Sequence, residues 1–517
     1  MVCRLRLSAF VVLLALVAGC GWGGSSPSAT PTPTVTPTPT VTPTPTPLPQ
    51  DRYEAADCPF EVAEDRTVEC GYLSVAESRL KPNTRSIRLA VAVVKSGSEA
   101  PKPDPVVFLS GGPGGSVIQV AGAELGDLLG PLAEERDLVL LDQRGVGKSE
   151  PALECPEFMD ALRSGIMAGL LAASLGERTV GPLAACHDRL VREGADLTGY
   201  TSAESAADLN DLRIALGYDE WNLFGGSYGT RLALTAMRDL PEGIRSVILD
   251  STYPIESDLY SEVPSNARRS FDVLFNGCRQ DPECNARWPN LERAFFDVIR
   301  RLNEQPPTVS IRDYSTDETI DVPLTGDLVL SGFFLALYSK EWIPTLPYLI
   351  AQAEEDPEQA KPLAEFLLAM NGSISLGMHY SVQCQEEVPF TSADRIAGAE
   401  QANEELRFLS ESEPIFALCG PWKGAPPDPK ENQPVRSDIP TLVLAGEYDP
   451  ITPPAWGRLV SEDLTNSFFF EFPGIGHGAS GADACPQGIT LAFLHEPAVS
   501  PDSSCIAEMP PPDFLVP

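Results

Sequence analysis

Trp221-Asn222-Leu223-Phe224-Gly225-Gly226-Ser227-Tyr228-Gly229-Thr230 runs an apolar strand into a glycine-flanked serine, and residues 230–240 continue with apolar side chains at helical spacing. A serine on a tight strand-to-helix turn needs neighbours without bulk, which Gly225, Gly226 and Gly229 supply. The helix beyond directs its N-terminal dipole at the serine and favours negative charge there. The five-residue pattern G-x-S-x-G arises by chance in a long chain. A strand before it and a helix after it make it specific.

Working outward, further apolar runs end in glycine-rich or polar turns. Residues 106–109 precede Ser110-Gly111-Gly112-Pro113-Gly114-Gly115, residues 138–141 precede Asp142-Gln143-Arg144-Gly145-Val146-Gly147, and residues 246–249 precede Asp250-Ser251-Thr252. Residues 87–94 alternate and read as an earlier strand. Short continuous apolar runs suit parallel strands buried on both faces. Residues 205–217 are helical in pattern, with Gly217 as the stop. This alternation predicts an α/β fold with a mostly parallel sheet.

The alternation then breaks. About 190 residues separate the strand at 246–249 from the next one, 441–446, far more than a crossover helix requires. Helical patterns at 271–275, 291–302, 328–337 and 362–370 predict a mainly helical cap, 253–434, inserted before that strand. The α/β core then divides into 51–252 and 435–517, with 467–472 as its last strand.

A serine hydroxyl needs a base to attack near neutral pH. The chain has four histidines, at 187, 379, 477 and 495. His477 stands in Gly474-Ile475-Gly476-His477-Gly478, directly after the last core strand, where such sheets place catalytic side chains. His187 lies beside Cys186 in a helical stretch, His379 in the cap and His495 in the last helical segment, and these three read as structural. The base needs a carboxylate to hold its tautomer. Asp449, in Gly446-Glu447-Tyr448-Asp449-Pro450, follows the strand 441–445, with Glu447 as runner-up.

An acyl-transfer site also needs two donors for the developing oxyanion. The backbone N–H of Tyr228, next after the nucleophile, is one, and Gly112 of the glycine-rich loop is chosen as the other. Gly145-Val146-Gly147-Lys148-Ser149 imitates the end of a phosphate-binding loop, but that motif requires glycine where this chain has Asp142. Asp142 and Arg144 are instead expected to pair and brace the loop. The cysteines and histidines have no zinc spacing, so neither a metal nor another cofactor is expected.

Charge narrows the partners. With 37 Lys and Arg against 73 Asp and Glu, the net charge is 37 − 73 = −36, which repels nucleic acid and disfavours docking on an anionic membrane. A hydrophobic fraction of 43% provides for a buried core, so disorder throughout is excluded. Residues 1–19 read as a signal peptide: Arg4 and Arg6, then an apolar run at 9–18, too short to span a membrane. Val17-Ala18-Gly19-Cys20 resembles a bacterial lipobox, which makes Cys20 the expected lipid anchor; an ordinary secretory signal is the alternative. The Thr-Pro repeats within 20–50 predict an extended linker holding the globular part away from that anchor. The expected setting is the bacterial cell envelope, with the membrane touched only through the lipid, or secretion. Besides Cys3 and Cys20 there are ten cysteines, an even number that suggests disulfides in an exported chain. Their connectivity stays open from sequence; sequential pairing is the simplest arrangement.

The motifs Gly111-Gly112-Pro113-Gly114-Gly115, 142–149, Gly226-Ser227-Tyr228-Gly229-Thr230, 446–453 and Gly476-His477-Gly478 together resemble the proline iminopeptidase and tripeptidyl aminopeptidase group of α/β-hydrolases. The exported bacterial tripeptidyl-aminopeptidase-like members are the most similar, and their C-terminal cysteine pair is matched by Cys485 and Cys505. The resemblance covers about 58–505, specific in the core and weak in the cap. Ser110 departs from it, since many proline iminopeptidases carry histidine before the double glycine. The resemblance implies a serine aminopeptidase that acts on peptides with a free N-terminus; a monomer is expected. It also implies a cap carboxylate for the substrate ammonium, for which Glu386 in Cys384-Gln385-Glu386-Glu387 is the candidate; solvated acids on a cap helix are the plain alternative. A carboxylesterase acting on small acyl esters uses the same triad, and a non-catalytic surface binding protein on a hydrolase scaffold is the third possibility.

Overall fold

A computed structural model of the chain describes residues 52–63, 66–118, 129–313, 318–370, 374–409 and 412–517. The export segment 1–19, Cys20 and the linker 20–50 lie outside the described residues. The described residues all fall within one unit, Leu48–Pro517.

Its centre is a sheet of nine strands in the order β1-β2-β3-β5-β4-β6-β7-β10-β11. These are β1 (Tyr53–Ala56), β2 (Val68–Ala76), β3 (Ser86–Val94), β4 (Val106–Leu109), β5 (Leu138–Leu141), β6 (Trp221–Gly226), β7 (Ile244–Asp250), β10 (Thr441–Gly446) and β11 (Ser467–Phe472). β5, β4, β6, β7, β10 and β11 pair in parallel, while β1, β2 and β3 form an antiparallel flank. The flanking strands β1 and β2 have no counterpart among the sequence expectations. Every strand foreseen from an apolar run is present.

The continuous apolar runs are explained by burial on both faces. Val139 and Leu141 join one core with Val107, Leu109 and Leu223, while Leu138 and Leu140 join the other with Val106, Phe224, Ile248 and Leu442. Helices cover both faces, as a parallel sheet requires. The helix Ser202–Leu216 ends at Gly217, which takes the left-handed conformation of a C-terminal stop at φ +79°.

Between β7 and β10 the chain forms a series of helices, among them Leu259–Gln280, Leu291–Glu304, Gly326–Ala336, Leu346–Glu355 and Leu376–Val382. It also forms a hairpin, β8 (Thr308–Asp313) with β9 (Glu318–Pro323), which helical patterning did not anticipate. Much of this insert builds its own core around Phe271, Phe295, Val329, Phe333 and Ile350. Its later part, including Met378, Tyr380, Val382 and Leu418, packs into the core under the sheet.

All ten cysteines are bonded in sequential pairs: Cys58–Cys70, Cys155–Cys186, Cys278–Cys284, Cys384–Cys419 and Cys485–Cys505. Five disulfides are compatible with an exported protein. Among the described residues, no helix is long and apolar enough to cross a membrane.

One expectation is corrected. Asp142 and Arg144 do not pair with each other. The Asp142 carboxylate accepts from the Ser116 hydroxyl and from the backbone N–H groups of Val117, Ile118 and Lys148. It thereby ties down the chain that leaves the glycine-rich loop. Arg144, fully buried, forks onto Asp208 at 2.8 Å through two nitrogens and donates to the carbonyls of Glu77 and Gly199. Each side chain finds its partners elsewhere in the fold.

Candidate active site

The C-terminal ends of β4, β6, β7 and β10 converge on one edge of the sheet. Ser227 follows β6 and holds φ 55° and ψ −125°, a backbone conformation that costs energy for a side chain with a Cβ. The close approach explains the motif. A Cβ on Gly229 would lie 1.9 Å from the carbonyl oxygen of Leu109 at the end of β4, so only glycine fits. The glycine-rich loop after β4 comes as near from the other side: a Cβ on Gly111 would lie 2.9 Å from Ser227 Cβ. Gly112, the expected oxyanion donor, takes φ +112° in this loop. Tyr228 opens the helix Tyr228–Asp239, whose first-turn N–H groups have no acceptor within the helix.

Asp449 and His477 meet. His477 Nδ1 stands 2.8 Å from Asp449 Oδ2, and Asp449 is fully buried. Asp449 is held from several directions. Its Oδ1 accepts from the backbone N–H groups of Ile451 and Thr452, and its Oδ2 accepts from the Thr452 hydroxyl at 2.7 Å. Burial alone would raise this carboxyl, but the facing imidazole and the Thr452 donors outweigh it and hold it below the usual range. For His477, burial pulls the imidazole down, and the Asp449 carboxylate, with Asp250 behind it, outweighs that and leaves it above an ordinary histidine. The carboxylate therefore both orients the ring and stabilises its charged form.

Ser227 and His477 are brought to one patch of backbone. The Ser227 N–H donates to the Asp250 carbonyl at 3.0 Å, and the Gly478 N–H donates to the Ser251 hydroxyl at 2.8 Å. Asp250 also accepts from the backbone N–H groups of Ala479 and Ser480 and from the Ser480 hydroxyl, anchoring the loop that carries His477. Among the described residues the Ser227 hydroxyl has no hydrogen bond to His477. Such contacts commonly tighten only when substrate is bound.

The other candidates sort by geometry. Glu447, the runner-up acid, accepts the backbone N–H of Gly474 and so braces the His477 loop rather than the ring. His187 stacks edge-on against Trp422 and His495 lies 3.4 Å from Glu135. His379 is 3.3 Å from the Pro113 carbonyl, and burial lowers it to about 4. Glu386 is turned inward and 4% exposed: its Oε1 accepts the Ser202 N–H at 2.5 Å and its Oε2 the Ser202 hydroxyl at 2.6 Å. Burial pushes its carboxyl up to about 7, against the pull of Arg231.

Four supporting residues were missed from sequence: Asp250, Ser251, Thr452 and Tyr338. Asp250 and Ser251 stand directly after a foreseen strand, so the rule that placed Asp449 would have found them. Thr452 lies three residues from Asp449, within reach of a side-chain turn. Tyr338 carries no local signal.

This site lies on a chain whose residues 104–357 match the family described as alpha/beta hydrolase fold and whose residues 410–505 match the family described as TAP-like protein. The chain has the α/β-hydrolase fold. Among named relatives it is 24% identical over 460 residues to the serine protease Hip1 of Mycobacterium tuberculosis, covering 82% of this chain and 84% of that one. It is 27% identical over 299 residues to a tripeptidyl aminopeptidase of Streptomyces lividans, covering 56% of this chain and 54% of that one. A proline iminopeptidase structure from Mycobacterium smegmatis overlays at a TM-score of 0.37 and 15% identity, over 83% of this chain and 98% of that one.

Proposed function

We propose that the chain is a serine peptidase that removes short pieces from the free N-terminus of peptides. Ser227 attacks the scissile carbonyl, His477 takes the hydroxyl proton and passes it to the leaving amine, and Asp449 holds the ring. The N–H groups of Tyr228 and Gly112 receive the oxyanion. Water then releases the acyl group from Ser227 by the same steps in reverse order of partners.

The observation that supports this reading most is the buried 2.8 Å contact of His477 with Asp449, beside a serine in a strained turn. The names of the relatives favour a peptidase over an esterase, and no cofactor is needed for these steps. The insert 253–434 acts as the cap over the site. Cys20 carries the lipid anchor, and the enzyme works as a monomer.

A Ser227→Ala variant tests the reading. It should lose several orders of magnitude in turnover of peptide anilides with a free amine, by analogy with other triads. Turnover at the parent rate would end the proposal. With the parent enzyme, acetylating the substrate's amine should abolish cleavage; equal cleavage of blocked peptides and of simple acyl esters would favour a carboxylesterase. Failure of a fluorophosphonate to label the chain would favour a binding protein.

A further inference from the structure

Two consecutive glutamates of the insert grip the first turn of the helix that begins beside Ser227. The Ser202 hydroxyl, donating to Glu386 at 2.6 Å, lies 2.8 Å from the Tyr228 hydroxyl. Three residues after Tyr228, Arg231 makes an ion pair with Glu387 at 2.7 Å and lies 4.0 Å from Glu386. Ser202, Tyr228, Arg231, Glu386 and Glu387 are all buried.

The direction of this chain follows from donor counting. When Glu386 is ionised it only accepts, so the Ser202 hydroxyl proton goes to Glu386 and the Ser202 oxygen accepts from Tyr228. The order is then Tyr228 O–H to Ser202 O–H to Glu386. Both oxygens of Glu386 are engaged by Ser202. The glutamates sit in a π-helical turn, Gln383–Glu387, a widened geometry that recurs at functional sites.

We propose that Glu386 is a positioning residue for the nucleophile turn. Through Ser202 and the Tyr228 hydroxyl it fixes the first residue of the helix Tyr228–Asp239, and with it the backbone N–H that receives the oxyanion. The inference rests on the Ser227 mechanism above, and it gives Glu386 a different task from capturing the substrate ammonium. Holding the turn affects every acyl transfer at Ser227. Amine capture affects only substrates that carry a free amine.

The test compares Glu386→Gln, Tyr228→Phe and Ser227→Ala in the full chain. The readouts are kcat and KM on a free tripeptide anilide, the rate of labelling by a fluorophosphonate (which has no amine) and the melting temperature. Glu386→Gln and Tyr228→Phe should each lower kcat and the labelling rate by about tenfold to a hundredfold, the range of supporting residues elsewhere, with KM unchanged. A rise in KM alone, with labelling at the parent rate, overturns the inference in favour of amine capture. So does parent-like kcat in either variant. If Glu386→Gln fails to fold, Tyr228→Phe carries the test alone, because it removes one hydroxyl and keeps the backbone donor. An active Ser227→Ala would sink the underlying mechanism, whereas an inactive one beside a fully active Glu386→Gln sinks only this inference.

Discussion

The backbone N–H of His477 donates to the carbonyl of Tyr338 at 3.0 Å, and the Tyr338 ring lies against the imidazole with centroids 4.5 Å apart. Tyr338 directly follows the helix Gly326–Ala336 and Leu337, and so belongs to the insert. The insert also holds the acid: Arg269 and Ser270, from the helix Leu259–Gln280, donate to the Asp449 carbonyl at 3.0 and 2.8 Å. The imidazole and its carboxylate are therefore each fastened to a segment inserted between the strands that precede them.

Tyr338→Ala should free one face of the imidazole while leaving the backbone hydrogen bond available. The expected result is a fall in kcat of about tenfold with little change in KM, since a misplaced base costs rate rather than binding. Tyr338→Phe, which keeps the ring, should restore most of it. Steady-state kinetics on both variants checks this, and equal loss in both would show that ring packing is not the cause.

The acid and its runner-up can be separated. Asp449→Asn should reduce kcat by roughly four orders of magnitude, as in other triads that lose the orienting carboxylate. Glu447→Gln keeps an acceptor for the Gly474 N–H. It should leave kcat close to the parent value. The opposite ranking would transfer the role to Glu447.

The pH profile follows from the sign of the His477 shift. In the proposed mechanism neutral imidazole is the working base, so kcat/KM should fall as pH drops through the His477 pKa. That pKa is raised, which puts the acid limb above the 6.5 of an ordinary imidazole. Asp449→Asn removes the carboxylate that raises it and leaves burial, which lowers it, so the residual activity should show its acid limb at lower pH. A parent limb at or below 6.5, or a limb that does not move in the variant, contradicts the assignment.

Disulfide removal should scale with the loop each bond closes. Cys384–Cys419 spans 35 residues and Cys278–Cys284 spans 6. Loop-closure entropy assigns about 4 kcal/mol to the first and about 2 to the second. Paired Cys→Ser variants compared by chemical denaturation should preserve this order. The longer bond also adjoins Glu386, so its loss should lower kcat at temperatures where the chain remains folded, while loss of Cys278–Cys284 should not.

The parallel strands, the serine turn and the positions of Asp449 and His477 were legible locally, because each depends on residues close together in the chain. Apolar runs record burial on both faces of a sheet, and glycines such as Gly229 record places where backbones nearly touch. Sequential pairing of the cysteines was the simplest arrangement from sequence, and only the structure decided it. The β8–β9 hairpin was not legible, because its strands are short and half exposed and carry no run strong enough to stand against helical surroundings. Asp142 and Arg144 misled for a different reason: closeness in the chain suggested a pair, but Asp142 ties down Ser116 to Ile118 and Arg144 reaches Asp208.

By itself, the order of amino acids determined which side chains are candidates for the chemistry and the strand end on which each would stand. Only the folded chain decided what holds them: that Tyr338 backs the imidazole, that Asp250 anchors its loop, and that Glu386 faces Ser202 and not open solvent. The physical reason is that a strained turn or a buried strand is encoded by its immediate neighbours. A hydrogen bond between residues more than a hundred positions apart exists only once the whole sheet and its insert have closed around it.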